Sequence, residues 1–85
     1  MKKGRRARHE ALVEEMKAAL GRALRRRRKS RGLSQADLAR VLGSSQSRVS
    51  KLEADEPGVS LELLVRALAA TGATRREIGR IMGSP

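Results

Sequence analysis

Apolar residues recur at helical spacing in the first third of the chain. The large apolar side chains that repeat every fourth residue there are Leu12, Met16, Leu20 and Leu24. This repeat predicts one helix of about five to six turns from His9 to Arg31. Gly21 is a possible weak point inside that helix, and Gly32 is placed to end it.

Two short helices are predicted between residues 34 and 54. Ser34 is a hydroxyl N-cap in front of an apolar run, and Asp37 suits the positive end of the helix dipole. Gly43 is placed to end this helix in a left-handed conformation. Ser45 then caps a second helix. The residues expected on its inner side are Val49 and Leu52.

Two further helices follow a loop in which Pro57 and Gly58 prevent helix continuation. Ser60 caps the fourth helix, whose apolar residues are Leu61, Leu64, Val65 and Leu68. Thr74 and Glu77 form a capping box for the last helix. The apolar residues of that helix are Ile78, Ile81 and Met82. The whole pattern predicts an all-α fold of five helices, of which the first is the longest.

Positive charge is concentrated at the start of the chain. Residues 1–31 contain 13 Lys and Arg against 3 Glu, a net charge of +10, whereas the rest of the chain carries +1. Residues 1–8 have no apolar face, so we expect a flexible basic arm there and a single domain over residues 9–85. Such an arm is attracted to any polyanion, and a solvated tail without a partner is the alternative.

The composition argues against several classes of function. The chain has no Cys and only one His, His9, which lacks partner ligands, so we expect no metal, no cofactor and no enzymatic activity. No stretch approaches the roughly 18 apolar residues of a membrane span, and a cytoplasmic protein is expected. The absence of Phe, Trp and Tyr favours duplex DNA over single-stranded nucleic acid or RNA.

Residues 34–54 have the layout of a helix-turn-helix. Ala39 is small where the two helices would cross, and Gly43 allows the chain to reverse. Polar side chains on the second helix of such a pair can reach base edges in the major groove. The spacing alone, however, fits an ordinary helical hairpin with a solvated polar face better.

The pattern S-Q-x-x-L-A followed by G-S-S-Q-S-x-V-S-K-L-E resembles the helix-turn-helix of the phage repressor family (Cro/C1, or XRE). Over about residues 17–82, this resemblance implies a compact, lambda-repressor-like DNA-binding domain. The residues expected to read bases are Gln46, Ser47, Ser50 and Lys51. The residues expected to contact the DNA backbone are Gln35, Ser45, Arg48, Arg25, Arg26 and Arg27. A carboxamide at Gln46 suits adenine, because it can bond N6 and N7 together.

The resemblance also implies particular side-chain pairs. Arg28 continues the inward stripe of the first helix, so it needs a carboxylate, and in the family this Arg pairs with a Glu that matches Glu53. We expect this ion pair to be structural. In the family, Gln35 both supports the side chain at Gln46 and touches phosphate. The chain departs from the family at Asp55 and the residue after it, because many relatives carry basic or amide residues there.

Two apolar sets have open roles. The residues before the resemblance are Leu12, Val13 and Met16, and they either pack on the domain's own core or form a dimer or toxin interface. The last helix often supplies the dimer contact in the family. The candidate dimer residues are therefore Ile78, Ile81 and Met82, although packing on the fourth helix is the alternative.

The sequence favours a small transcriptional regulator, in the form of a repressor that binds an inverted repeat of duplex DNA as a homodimer. The alternative is an antitoxin of a type II toxin-antitoxin system, which binds a toxin and its own operator. The net charge of +10 over residues 1–31 argues against the antitoxin, because toxins that cut RNA tend to be basic.

Overall fold

The computed structural model describes the backbone of residues 2–83 and the side chains of residues 8–83. This part of the chain forms five α-helices and no strand, which confirms the predicted all-α fold. The helices are α1 (Lys2–Ser30), α2 (Gln35–Leu42), α3 (Gln46–Glu53), α4 (Leu61–Ala70) and α5 (Arg75–Met82). None of them is long and apolar enough to cross a membrane.

The first helix is longer than predicted. It begins at Lys2 instead of His9, so the backbone of residues 2–8 is helical and not disordered as expected. Lys, Arg and Ala favour helix and no proline interrupts the stretch, so its composition is compatible with a continuous helix. Its 29 residues correspond to about 43 Å, close to the 46 Å long dimension of the molecule. The role of this basic segment as an arm stays a prediction.

The predicted starts of the second to fifth helices are confirmed. The hydroxyl oxygens that accept a backbone N–H at the second to fifth helices belong to Ser34, Ser45, Ser60 and Thr74. Asp37 and Glu77 complete two capping boxes, because each carboxylate accepts the backbone N–H of its own N-cap residue at 2.8 Å. Gly43 ends α2 with φ 64°, the left-handed conformation that glycine adopts without strain.

These capping boxes make the stability of the fold depend on pH in the acidic range. The Ser34 backbone N–H holds the pKa of Asp37 below its usual value, and the Thr74 backbone N–H does the same for the pKa of Glu77. Because each pKa is lower in the folded chain than in the unfolded chain, the stabilisation is complete above the ordinary values of 3.8 and 4.5. It is lost as the pH falls through the lowered folded values.

We expect the variant Asp37→Asn/Glu77→Gln to lose part of this acid dependence. Urea unfolding followed between about pH 5 and pH 3 should show a shallower loss of stability than in the parent chain. Glu62→Gln is the control, because it removes an exposed carboxylate that belongs to neither capping box. If the double variant and the parent lost stability equally as the pH falls, the two carboxylates would not have this role.

The core is aliphatic, and every helix contributes to it. The large side chains that are almost completely buried are Leu20, Leu24, Leu38, Val49, Leu52, Leu64 and Leu68. Ile78 joins them from α5. Ala39 is buried on α2 and belongs to this cluster, as expected for a small residue where α2 and α3 cross. The core therefore holds α2 and α3 against α1 and α4 as one unit.

At Gly21 the backbones of α1 and α3 lie in close contact. The helix is continuous at this residue, so Gly21 is not a break. A Cβ atom built on Gly21 would lie 2.5 Å from the carbonyl oxygen of Leu52 and 3.8 Å from the Cα of Glu53. Only a residue without a side chain allows this approach, so Gly21 sets the distance between the two helices.

Candidate nucleic-acid interface

Helix α3 separates a buried side from an exposed polar side. Val49 and Leu52 are 0% and 1% exposed and attach the helix to the core. The predicted base-reading residues, all exposed, are Gln46, Ser47, Ser50 and Lys51. The helix is about 12 Å long, and the major groove of B-DNA is about 12 Å wide. The structure thus gathers the four side chains on one short helix that is free to enter a groove.

Ser45 and Arg48 form the first turn of this helix. The Ser45 hydroxyl oxygen accepts the backbone N–H of Arg48 at 3.1 Å, so Ser45 holds the N-terminus of α3. Both side chains are exposed. The hydroxyl hydrogen of Ser45 and the guanidinium of Arg48 can donate to phosphate oxygens next to the base-reading residues.

Arg28 and Glu53 form a buried, bidentate ion pair. The Arg28 Nε lies 2.6 Å from Glu53 Oε2, and its Nη2 lies 2.9 Å from Oε1. The side chains of the pair are 9% and 3% exposed, and Arg28 Nη1 also donates to the Leu33 carbonyl at 2.8 Å. The hydrogen bond with Glu53 raises the pKa of Arg28. The pair fixes the end of α3 to α1, as expected for a structural ion pair.

Gln35 belongs to the same cluster. Its Nε2 donates to Glu53 Oε1 at 3.2 Å. Gln35 opens α2 and Glu53 ends α3, so one carboxylate holds three helices together. The resemblance implied that Gln35 supports Gln46, whereas its amide supports Glu53 in the structure. An amide nitrogen has two hydrogens, so the bond to Glu53 leaves the second for the expected contact of Gln35 with phosphate, which stays a prediction.

The three arginines expected at the DNA backbone do not lie together. Arg25 and Arg26 are exposed. Arg27 turns toward the domain, where its Nε donates to Thr71 Oγ1 and its Nη1 to Glu77 Oε2, each at 3.2 Å. Arg27 therefore joins α1 to α4 and α5. The sequence contained a signal for this, because Arg27 lies seven residues after the buried Leu20 and so on the same side of α1.

The loop after α3 is exposed and acidic. Asp55 adopts a left-handed conformation with φ 56°, which ends α3 and which Asp tolerates better than most residues. Neither Asp55 nor Glu56 takes part in an ion pair within the described residues. Glu56 lines a shallow groove with Arg48 and Lys51, so cationic side chains flank its negative charge near the end of α3.

The apolar candidates for a protein interface divide differently from what the sequence suggested. Ile78 is 9% exposed and belongs to the core, so its assignment to a dimer surface is wrong. Packing on the domain's own core is likewise wrong for Leu12 and Val13, which are 56% and 42% exposed. Leu12, Met16 and Met82 line one groove between α1 and the end of α5. The structure thus brings one residue of the C-terminal set, Met82, next to the N-terminal set, whereas the half-buried Ile81 lines a separate groove with Arg26 and Arg27.

A family model described as Helix-turn-helix matches residues 24–78, which is 55 of the 85 residues. The match includes α2, α3, α4 and the C-terminal part of α1, and it ends within α5. The matched region therefore contains the complete predicted DNA-reading unit of residues 34–54. Residues 2–23 of α1 precede it. Searches among curated proteins and among solved structures each returned no match.

Proposed function

Because the chain belongs to the Cro/C1-type helix-turn-helix (XRE) family, we propose that it is a repressor that reads an inverted-repeat operator as a homodimer. The family match supports sequence-specific DNA binding and regulation. The observation that carries the proposal is the exposed polar side of α3 on a rigidly held helix. Occupation of an operator by the dimer would exclude other proteins from the promoter.

In the proposed complex, α3 lies in the major groove with its N-terminal turn against the base edges. Gln46 donates to and accepts from adenine, and Ser47, Ser50 and Lys51 reach neighbouring bases. Gln35 and Ser45 donate to phosphates at the groove edge and fix the register. Two copies place their α3 helices about 34 Å apart, one turn of DNA, which is why the operator should be an inverted repeat.

The hydrogen bonds that hold α3 in place favour sequence-specific over nonspecific DNA binding. A base-reading side chain discriminates only if the backbone that carries it is held in place. The Glu53 carboxylate accepts three hydrogen bonds, from two nitrogens of Arg28 and from Gln35. At its other end, α3 is capped by Ser45. Both ends of the helix are therefore fixed before any DNA binds.

We expect Gln46→Ala to relax discrimination at one base pair of each half-site. The loss of a bidentate contact to adenine should reduce discrimination there by about 1 to 3 kcal/mol and leave the other positions unchanged. Competition binding against a panel of single-base operator variants measures this directly. Arg66→Gln, an exposed substitution on α4, is the control. An equal loss of affinity for all duplexes would remove Gln46 from base reading.

The experiment that tests the proposal is selection of random duplexes by the purified protein at about 0.15 M salt, a concentration that suppresses nonspecific binding. Sequencing of the bound pool should give an inverted repeat, and the best duplex should bind two chains. Failure to enrich any sequence would overturn specific reading. One chain per duplex on an enriched single site would overturn the dimer alone.

An antitoxin that autoregulates its operon is the second candidate. The observation that favours it is the apolar groove of Leu12, Met16 and Met82, which begins outside the family-matched residues. Co-expression with the product of an adjacent small reading frame tests it. A stable complex that is lost in Leu12→Asp, together with relief of toxicity by the parent chain, would establish the antitoxin. Neither effect would be seen with a plain repressor.

A further inference from the structure

Four cationic side chains form a continuous face on the C-terminal half of α1. Its members, called the α1 cationic face below, are Arg22, Arg25, Arg26 and Lys29. All four are exposed. The ion pairs among the described residues use other cations, at Lys17, Arg27, Arg28 and Arg40. None of the four cations of the face is therefore neutralised by an ion pair with a carboxylate of the described residues.

The helix itself gains little from these charges. A cation stabilises the negative end of a helix only within the last turn, and of these four only Lys29 is there. The face also contains four like-charge pairs at i,i+3 or i,i+4 spacing, such as Arg22 with Arg26, and each of them disfavours the helix. Helix stability alone thus gives no reason for this face, whereas a polyanionic partner does.

The α1 cationic face is not on the side of α1 that contacts α3. An α-helix turns about 100° per residue, which places Gly21 and Arg28 on one side, and both contact the end of α3. The centre of the cationic face lies about 90° around the helix from that side. Leu20 and Leu24, which enter the core, are on the opposite side of α1. With α3 in a groove, the face is therefore directed to the flank of the domain.

We propose that the α1 cationic face binds the phosphodiester backbone of duplex DNA outside the half-site that α3 reads. Three of its four members are arginines, whose planar guanidinium groups match phosphate oxygens in pairs. The face spans about 10 Å along the helix, and each DNA strand carries a phosphate every 3.4 Å of its axis, so about three phosphates can be contacted. The proposal rests on the proposed function in taking DNA as the polyanion.

The composition of the face revises the backbone contacts expected from the sequence. Arg27 leaves the set because Thr71 and Glu77 hold its guanidinium. Arg22 and Lys29 join Arg25 and Arg26. The resulting surface is sequence-independent, because it meets phosphates only.

The test compares two triple variants of equal charge. Arg22→Gln/Arg25→Gln/Arg26→Gln removes three members of the face, and Arg66→Gln/Arg75→Gln/Arg76→Gln removes three exposed arginines from α4 and α5. Affinity for a random-sequence duplex is measured over a range of salt concentrations. The slope of log K against log salt should fall by about three units in the first variant and by less than about one unit in the second. The melting temperature of the first variant should not be lower than that of the parent.

Equal slopes in the two variants would overturn the proposal, because net charge would then explain binding. Retained binding to DNA with lost binding to poly-glutamate would also overturn it and would point to an acidic protein. If the first variant loses affinity only for operators with long flanks, the face contacts DNA that flanks the operator. If instead it loses the ability to bridge two labelled duplexes, the face contacts a second duplex. Since the slopes are measured on random duplexes, the result stands even if no operator sequence is ever enriched.

Discussion

Replacing Arg28 by Met is expected to lower the free energy of unfolding by about 3 to 5 kcal/mol, because it leaves the Glu53 carboxylate buried without its cation. The Glu53 side chain is only 3% exposed, so water cannot replace the two lost hydrogen bonds. Arg28→Met also removes the hydrogen bond to the Leu33 carbonyl. Urea unfolding at pH 7, followed by the helical circular dichroism signal, measures the loss.

Two controls separate burial of charge from loss of packing. Arg22→Met makes the same substitution at an exposed position of α1 and should change stability by less than about 0.5 kcal/mol. Arg28→Met/Glu53→Met removes both charges and should recover most of the loss. If Arg28→Met were as mild as Arg22→Met, or if the double variant were the least stable of all, the ion pair would not be the reason that these residues are buried.

The second large effect is expected for Gly21→Ala. Ala is usually the better helix former, by about 1 kcal/mol over Gly. Here the added methyl group would lie 2.5 Å from the Leu52 carbonyl oxygen, a backbone atom that can move only with α3. Overpacking of this kind typically lowers stability by about 1 to 3 kcal/mol, so the sign is reversed. Chemical unfolding of Gly21→Ala should show a net destabilisation.

Gly79→Ala is the matched control for this prediction. Gly79 is also inside a helix, but apart from its chain neighbours and the backbone of its own helix, nothing lies within 4 Å of the place where its Cβ would be. This variant should gain about 0.5 to 1 kcal/mol. Gly21→Ala should also bind operator DNA more weakly at temperatures where it is folded, because α3 is displaced. Equal gains in stability from the two substitutions would show that α1 and α3 separate freely.

Features that depend on neighbours along the chain were predictable. The N-caps at Ser34, Ser45, Ser60 and Thr74 are confirmed, because each forms a hydrogen bond with a backbone N–H three residues away. The five helices follow from the same local signals and from apolar spacing. The exposure of the polar side of α3 follows from its amphipathic pattern, since its two large apolar residues, Val49 and Leu52, lie on the buried side.

Features that depend on how helices meet were not predictable from local pattern. Gly21 is recognisable as a contact only when Leu52 is placed opposite it. Gln35 bonds to Glu53, 18 residues away, and Arg27 bonds to Glu77, 50 residues away, and no spacing rule connects such positions. The N-terminal part of α1 was missed for another reason, because a basic stretch without an apolar face carries no packing signal although its residues favour helix.

The groove between α1 and α5 contains its own spectroscopic probes. Met16 and Met82 both line it, and the chain has only three methionines. Selective isotope labelling of methionine methyl groups would therefore give an NMR spectrum in which two signals report on this single surface. The sequence contains no Phe, Trp or Tyr, and its one imidazole, His9, does not line this groove, so a large ring-current shift of these signals on mixing would come from an aromatic side chain or base of the molecule that covers the groove.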